Sequence, residues 1–584
     1  MKFIFSYMKK DAWFITLTMA IKLAASCAEL LLPYVLQHLI DEIVPTKKIL
    51  SVLLWGSLMI VLALLCRALN IKANKGAVKV ARDNIYRIRK DLFWKTLQLS
   101  GNQIDEVGLP SLISRMTSDS YNVQNFMQSI QMMGVRAPIM LLGGIFITMT
   151  MDPGLASILC IMAPILIVIV VFISFKGIPL YEKVQKNMDT LVRIMRENIT
   201  GIRVVKALSK ENYERNRFAA SNKKMATDEL KASMVMAMPG PVMTLFLNTG
   251  LTLVVITGAK RVNAGIIEPG VILAFLTYFN MILMGVMGLN RIFMMISRAN
   301  ASAKRMAEVV NAAEELTPLP EVKAAKFDAN QYSADDYIVF DHVDFSYKQD
   351  AIDVSTDREK CLYDIHFKIK KGGSLGIIGA TGSGKTTIIN LLIRFYDAST
   401  GNIFLDGKDV RTYERDVLHR KFGVVFQNDV IFADTLFENI AFGREVHLDD
   451  VKRAAKDAKA SEFIEAYEEQ YEHEATIHGA NLSGGQKQRT LIARALAAKP
   501  EILILDDASS ALDYKTDADL RKAIRENYEE ATTIIIAQRI SSIMSMDHII
   551  VMDEGRMIGY GTHEELLETC QVYNDIYKTQ MGEM

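Results

Sequence analysis

A chain of 584 residues is long enough for two or more domains. Half of its residues are hydrophobic, and 67 basic residues balance 67 acidic ones, so nothing points to nucleic acid as a partner. The five cysteines (Cys27, Cys66, Cys160, Cys361 and Cys570) stand far apart without metal-ligand spacing, which fits reduced thiols and argues against a disulfide-stapled secreted fold.

The basic start, residues 1–10, leads into an apolar stretch with no small-residue cleavage site, and reads as a retained membrane entry. Charge-free runs then recur at 50–66, 137–151, 154–175, 232–259 and 269–290. A helix needs about 20 apolar residues to cross a bilayer core, so these are spans or near-spans. Residues 13–40 supply a sixth, interrupted by Lys22 and Glu29. Short connections near 41–49, 152–154 and 260–268 alternate with long ones at 72–128 and 176–231. The long pair carries 22 Lys plus Arg and the short trio four. Positive loops stay inside, so both termini and both long loops are expected in the cytosol.

Within the long loops, 72–99 and 181–217 keep helical periodicity, so the helices are expected to run on beyond the bilayer. Each loop holds a breaker followed by a short amphipathic piece, at 108–115 and 198–206, suited to docking another domain. Lys22 and Glu29 lie seven residues apart on one helix face, and Arg67 closes the second span. Such ions mark either an aqueous cavity or structural pairing, and both readings stay open. Methionine is abundant, with Met234, Met236, Met238, Met243, Met281, Met284 and Met287 in the last two spans. Flexible thioethers suit a surface that accepts differing ligands, and equally suit ordinary helix packing.

Charge returns after residue 298, and 311–337, with Pro318 and Pro320, reads as a linker between a membrane domain at 1–310 and a second domain at 338–584. From 338 onward short apolar strands alternate with helices, an α/β pattern. At its centre stand Gly379, Ala380, Thr381, Gly382, Ser383, Gly384, Lys385 and Thr386, followed by Thr387. This is the full phosphate-loop spacing, placed between a strand and a helix as the motif requires. Backbone N–H groups and the positive helix end would face phosphates, Lys385 would reach the outer ones, and Thr386 would place its hydroxyl on Mg²⁺. ATP with Mg²⁺ is therefore the expected ligand. Tyr347 precedes the loop and is suited to stacking on adenine. Gln427 follows an apolar strand. Leu482, Ser483, Gly484, Gly485 and Gln486 (LSGGQ) precede a helix. Residues 502–506 form a buried strand ending in Asp506, suited to Mg²⁺, with Asp513 a little beyond. Another buried strand, 534–537, ends at Gln538.

These motifs in this order resemble the ATP-binding cassette (ABC) transporters, and among them exporter half-transporters in which six spans precede one nucleotide-binding domain. The resemblance covers nearly the whole chain, and LSGGQ is its most specific element. It implies an α-helical polytopic membrane domain of six long helices followed by an α/β phosphate-loop nucleotide-binding domain. It also implies that two such domains pair head to tail, with each ATP between one subunit's phosphate loop and the other's LSGGQ. The short loop elements would be coupling helices, Gln427 would contact Mg²⁺, and Asp513 would reach across the pair.

Two positions depart from the family pattern together. Asp507 stands where the catalytic carboxylate is normally Glu, and Gln538 where the next strand normally ends in His. Residues 474–479 also lack the acidic residue usual before LSGGQ. Asp is a methylene shorter than Glu, and Gln cannot carry a proton as His does. The expectation is a slow ATP site in this chain, and a fast site completed by its LSGGQ on a second, homologous half-transporter that carries the Glu and His. Export of small lipophilic, multidrug-type cargo across a bacterial plasma membrane leads the functional reading. Peptide or lipid export, or an ATP-gated channel or sensor, stand as alternatives. Glu29, Asn248 and Asn280 are the candidate cavity residues.

Overall fold

Six helical segments are long and apolar enough to cross a membrane: Lys2–Thr46, Ile49–Gln98, Leu109–Met151, Pro153–Thr200, Glu211–Asn263 and Pro269–Val310. They match the six spans expected from hydropathy. The computed structural model describes residues 1–320, 322, 324–327, 332–333, 335–347 and 360–582, so parts of the expected linker 311–337 and of the domain 338–584 lie outside the described residues. It divides into one unit of Met1–Leu97 with Leu109–Ala312, and another of Gln98–Gly108 with Ala313–Met584.

In the first unit, Ile49–Gln98 is a single 50-residue helix. At 1.5 Å per residue it is about 75 Å long, far more than the ~30 Å hydrocarbon core, so the span and its polar extension are one rod. The short connections are tied to each other. Asp152 caps the helix Pro153–Thr200 by accepting from Leu155 N–H at 2.7 Å, and its other oxygen accepts from Arg261 at 2.7 Å. Asp41 accepts from Gly270 N–H at 2.6 Å, and a Cβ on Gly270 would meet that carboxylate at 2.6 Å. Leu155, Leu159 and Leu166 pack with Phe275, Phe279 and Ile282 in an apolar cluster of this unit. Lys22 and Glu29 both have polar partners. Lys22 Nζ donates to Asn70 and Asn74 at 2.7 and 3.1 Å, and Arg136 donates to Glu29 at 2.6 Å. Arg67 lines a shallow groove with Lys75, Lys79 and Arg82. Asn248 and Asn280 are both exposed.

The second unit is built on ten strands: β1 (Asp336–Phe345), β2 (Leu362–Lys370), β3 (Ser374–Gly379), β4 (Thr400–Leu405), β5 (Lys408–Asp409), β6 (Phe422–Val425), β7 (Ile502–Asp506), β8 (Thr532–Ile536), β9 (His548–Asp553) and β10 (Arg556–Gly561). Their order is β5-β4-β1-β2-β10-β9-β3-β8-β7-β6. β9, β3, β8, β7 and β6 run parallel to one another, while β1 pairs antiparallel with both β2 and β4. Every residue of β7 and β8 is buried, as parallel strands covered on both faces require. Side chains alternate between faces. Ile502, Ile504, Ile534 and Ile536 pack with Ile388 and Ile389 of the helix Lys385–Leu392. Leu503, Leu505 and Ile535 pack on the other side with Ile492 and Leu496 of the helix Gly484–Ala497.

The short docking piece of the first long loop differs from expectation. The structure places a separate helix at Gly101–Val107, and makes Leu109–Ser114, within the expected 108–115, the first turns of the next span. Ser100 starts the earlier helix with a reciprocal capping box to Gln103, and Gly108 (φ +77°) ends it. This helix belongs to the second unit. Tyr396 Oη donates to Asp105 at 2.9 Å, Ser100 Oγ donates to Glu315 at 2.5 Å, and a Cβ on Gly101 would sit 2.5 Å from the Tyr396 ring. In the second long loop the helix Ile202–Ala207 overlaps the later part of the expected 198–206, whose first residues end the helix Pro153–Thr200.

Candidate functional site

The carboxyl ends of β3, β7 and β8 lie side by side in the middle of the parallel sheet, the place where open α/β sheets bind ligands. From β3 the chain turns through the Gly-rich loop into the helix Lys385–Leu392. Gly382 and Gly384 take φ of +86° and +97°, and a Cβ on Gly384 would lie 2.5 Å from Leu362. Glycine is therefore required at Gly384 both by conformation and by space.

A cavity of about 210 Å³ at these strand ends brings together Thr381, Gly382, Gly384, Lys385, Thr386 and Thr387 with Gln427, Asp506, Asp507 and Gln538. Gly379, Ala380 and Ser383 complete the loop without lining its wall. Lys385 Nζ donates to the carbonyls of Gly379 and Ala380 at 2.9 and 2.7 Å. Burial draws its pKa below the ordinary lysine value, against the opposing pull of Asp506 and Asp507. Thr386 Oγ1 donates to Asp506 at 2.8 Å. Burial pushes the Asp506 carboxyl up, and its neighbour Asp507 adds to the rise. Asp507 is itself pushed up by burial, with Lys385, Gln538 and Arg539 opposing. Its backbone is left-handed (φ +51°), held by its N–H donating to Ile536 O at 2.9 Å. Gln538 Nε2 donates to Asp507 Oδ2 at 3.0 Å, so the two positions that depart from the family pattern touch.

The donor set fits a phosphate chain with a hard divalent cation. Ser383 Oγ is buried without a partner in the loop. An ammonium and a helix N-terminus face two adjacent carboxyl groups, one already hydrogen-bonded to a hydroxyl. That combination suits phosphate oxygens on one side and an oxygen-ligated ion such as Mg²⁺ on the other.

Tyr347 stands at the rim, exposed, with its hydroxyl 3.1 Å from Thr387 Oγ1 and its ring edge-on to Tyr396 at 5.1 Å. Two residues that sequence reasoning passed over belong here. Cys361 lines the cavity, its thiol 3.5 Å from Thr387 Oγ1, and Tyr396 joins the rim to the helix Gly101–Val107. Neither carries a motif. The signal for Cys361 is only its place before Leu362, the residue that closes on Gly384.

The signature residues and Asp513 do not line this cavity. Ser483 caps the helix Gly484–Ala497 in a capping box with Gln486, at 2.8 and 3.3 Å, while Leu482 is buried beneath. Gly484 and Gly485 lie against Ala511, where added Cβ atoms would meet it at 3.5 and 3.3 Å. Asp513 caps the helix Tyr514–Asn527, accepting from Thr516 N–H at 2.9 Å and from its hydroxyl at 2.7 Å. These groups form a second exposed surface, with helix N-termini facing outward.

Comparison with known proteins finds two family matches in the chain. Residues 15–287 match the family model described as "ABC transporter transmembrane region", and 362–510 match "ABC transporter". The chain is 33% identical over 581 residues to "Uncharacterized ABC transporter ATP-binding protein YfiB" of Bacillus subtilis (strain 168), covering 99% of this chain and 98% of that one. It is 31% identical over 577 residues to "Uncharacterized ABC transporter ATP-binding protein MT1311" of Mycobacterium tuberculosis (strain CDC 1551 / Oshkosh), covering 97% and 96%. A solved structure described as "Structure of a bacterial Atm1-family ABC exporter with ATP bound" superposes with a TM-score of 0.82 at 24% identity, over 97% of this chain and 99% of that one. At that identity the likeness speaks for the fold.

Proposed function

As a member of the ABC transporter family, this multi-pass membrane protein couples ATP hydrolysis to transport, and we propose that it is the slow-site half of a heterodimeric exporter of lipophilic compounds. The observation that carries the reading is the hydrogen bond from Gln538 to Asp507. It ties the shortened carboxylate to a neutral amide at the two positions where a fast site needs a base and a proton-carrying partner.

In this reading the phosphate loop binds ATP. Lys385 leaves the carbonyls of Gly379 and Ala380 for the outer phosphates, and Tyr347 stacks on the adenine. Thr386, Gln427 and Asp506 hold Mg²⁺, which neutralises phosphate charge when bound. Asp507 orients the attacking water poorly, since a displacement of about 1 Å can cost ~10²-fold in rate. Ser483, Gly484, Gly485, Gln486 and Asp513 instead complete the site on a partner half-transporter. The exposed helix N-termini that carry them support this, because an outward-facing positive helix end is suited to a phosphate held by another chain. The excess of Lys and Arg in the long loops supports a cytosolic nucleotide-binding domain.

The test is to purify the chain alone and together with a partner carrying the Glu and His. The lone chain is expected to bind ATP and turn it over about 10²-fold more slowly than the pair. Brisk magnesium-dependent hydrolysis by the lone chain overturns the slow-site assignment. Failure of the pair to concentrate a lipophilic dye inside inverted vesicles overturns the export reading separately.

A further inference from the structure

Among the described residues, irregular backbone away from the nucleotide cavity assembles a further group of ligating side chains. β1 and β2 pair antiparallel, but their register slips between Phe340 and Val343 and again between Val343 and Phe345. Such slips insert a residue and re-aim its side chain. His342 lies in the first slip at φ +48°, and Asp364 on β2 also takes φ +48°. That conformation is uncommon for residues with a Cβ. Asp364 is pinned there by its N–H donating to Asp344 at 2.9 Å, and Asp344 is held in turn by the Thr400 hydroxyl at 2.8 Å. Because β2 alternates buried and exposed positions, His366 shares the open face with Asp364. The result is two imidazoles and a carboxylate whose ligating atoms all lie within 4.8 Å of one another. His342 Nδ1 is 2.6 Å from Asp364 Oδ1, and the two imidazole rings stack at 5.2 Å.

We propose that His342, Asp364 and His366 form a binding site for a divalent transition ion of the zinc class, with water as the fourth ligand. Two neutral imidazoles and a carboxylate are a zinc-type set, whereas Mg²⁺ and Ca²⁺ prefer oxygen alone. With bonds near 2.0–2.1 Å, tetrahedral ligand atoms stand about 3.3 Å apart, so the widest separation has to close by up to roughly 1.5 Å while His342 Nδ1 and Asp364 Oδ1, now 2.6 Å apart, move apart to admit the ion. The side chains of His342 and Asp364 are 60% and 65% exposed and free to make that rotation. The ion would fasten β1 to β2 close to where those strands lead to Tyr347 and Cys361. It is a site distinct from the Mg²⁺ ligands at the ends of β3 and β7.

The competing account is a plain His–Asp hydrogen bond beside a second histidine, and zinc uptake separates the two. The full chain, purified without a histidine tag, is titrated with zinc chloride in excess magnesium and without nucleotide. Bound metal is counted by mass spectrometry and unfolding temperature recorded. The expected result is one zinc per chain and a zinc-dependent rise in unfolding temperature. In H342A and H366A affinity falls at least tenfold and the rise disappears, while ATP binding persists. H342Q and H366Q repeat the comparison should an alanine variant fail to fold. Equal zinc uptake by wild type and the His342/His366 double variant, or no uptake by wild type, overturns the proposal.

Discussion

In the proposed slow site Asp507 and Gln538 limit the rate, because each is one functional group away from a competent pair. Lengthening the carboxylate by a methylene moves it toward the attacking water, and an imidazole in place of the Gln538 amide can carry a proton. The double variant D507E/Q538H is therefore expected to raise the ATPase of the lone chain by about 10²-fold, with D507E alone giving a smaller gain. Steady-state phosphate release from purified protein checks this, and an unchanged rate places the limitation elsewhere. At this scale the phosphate loop, Asp506 and Gln538 were legible in the sequence because each is a local pattern: spacing within one loop, or the last residue of an apolar strand. Cys361 and Tyr396 were not. They reach the site through the closure of Leu362 on Gly384 and through ring contacts with Tyr347, which no spacing records.

Among the elements, the helix Gly101–Val107 has a tight seat. A Cβ on Gly101 would overlap the Tyr396 ring at 2.5 Å, and the ring is already engaged through its hydroxyl with Asp105. G101V is thus expected to unseat the helix and abolish transport, with ATP still bound, as read by dye uptake alongside nucleotide binding. The helix Arg415–Arg420 makes a pH prediction. His419 donates through Nε2 to Ile393 O at 2.9 Å, and burial holds its pKa below the ordinary 6.5. Arg415 adds to the lowering, and Asp416 opposes it. The unfolded chain takes up a proton that the folded one resists, so stability is full above pH 6.5 and falls as pH drops toward the folded value. H419Q is expected to flatten that decline in thermal unfolding between about pH 7 and 5.5. The six spans were legible because bilayer thickness imposes a minimum run of apolar residues. The helix Gly101–Val107 was misplaced by several residues because Pro110 looked like a breaker. Proline is tolerated in the first turn of a helix, where its missing N–H is not needed, so the true punctuation was the Ser100 cap and Gly108.

Over the whole molecule, the nucleotide cavity and the capped LSGGQ surface outside it would, in the proposed pairing, serve as two half-sites. This divides the effects of mutation. G485D adds bulk against Ala511 and a negative charge at the helix end proposed to face the partner's phosphates. It is expected to lower the ATPase of the proposed heterodimer by about 10²-fold, while nucleotide binding by the lone chain is unchanged. Equal losses of both would mean that the surface is not shared. Tyr396 has a consequence at this scale too. Its ring edge meets Tyr347 at the nucleotide rim and its hydroxyl holds Asp105. Thermodynamic linkage is reciprocal, so if nucleotide tightens the seat of Gly101–Val107 by some factor, loosening that seat must weaken nucleotide binding by the same factor. An ATP titration of wild type against G101V therefore measures the coupling free energy of the transporter without any knowledge of its cargo.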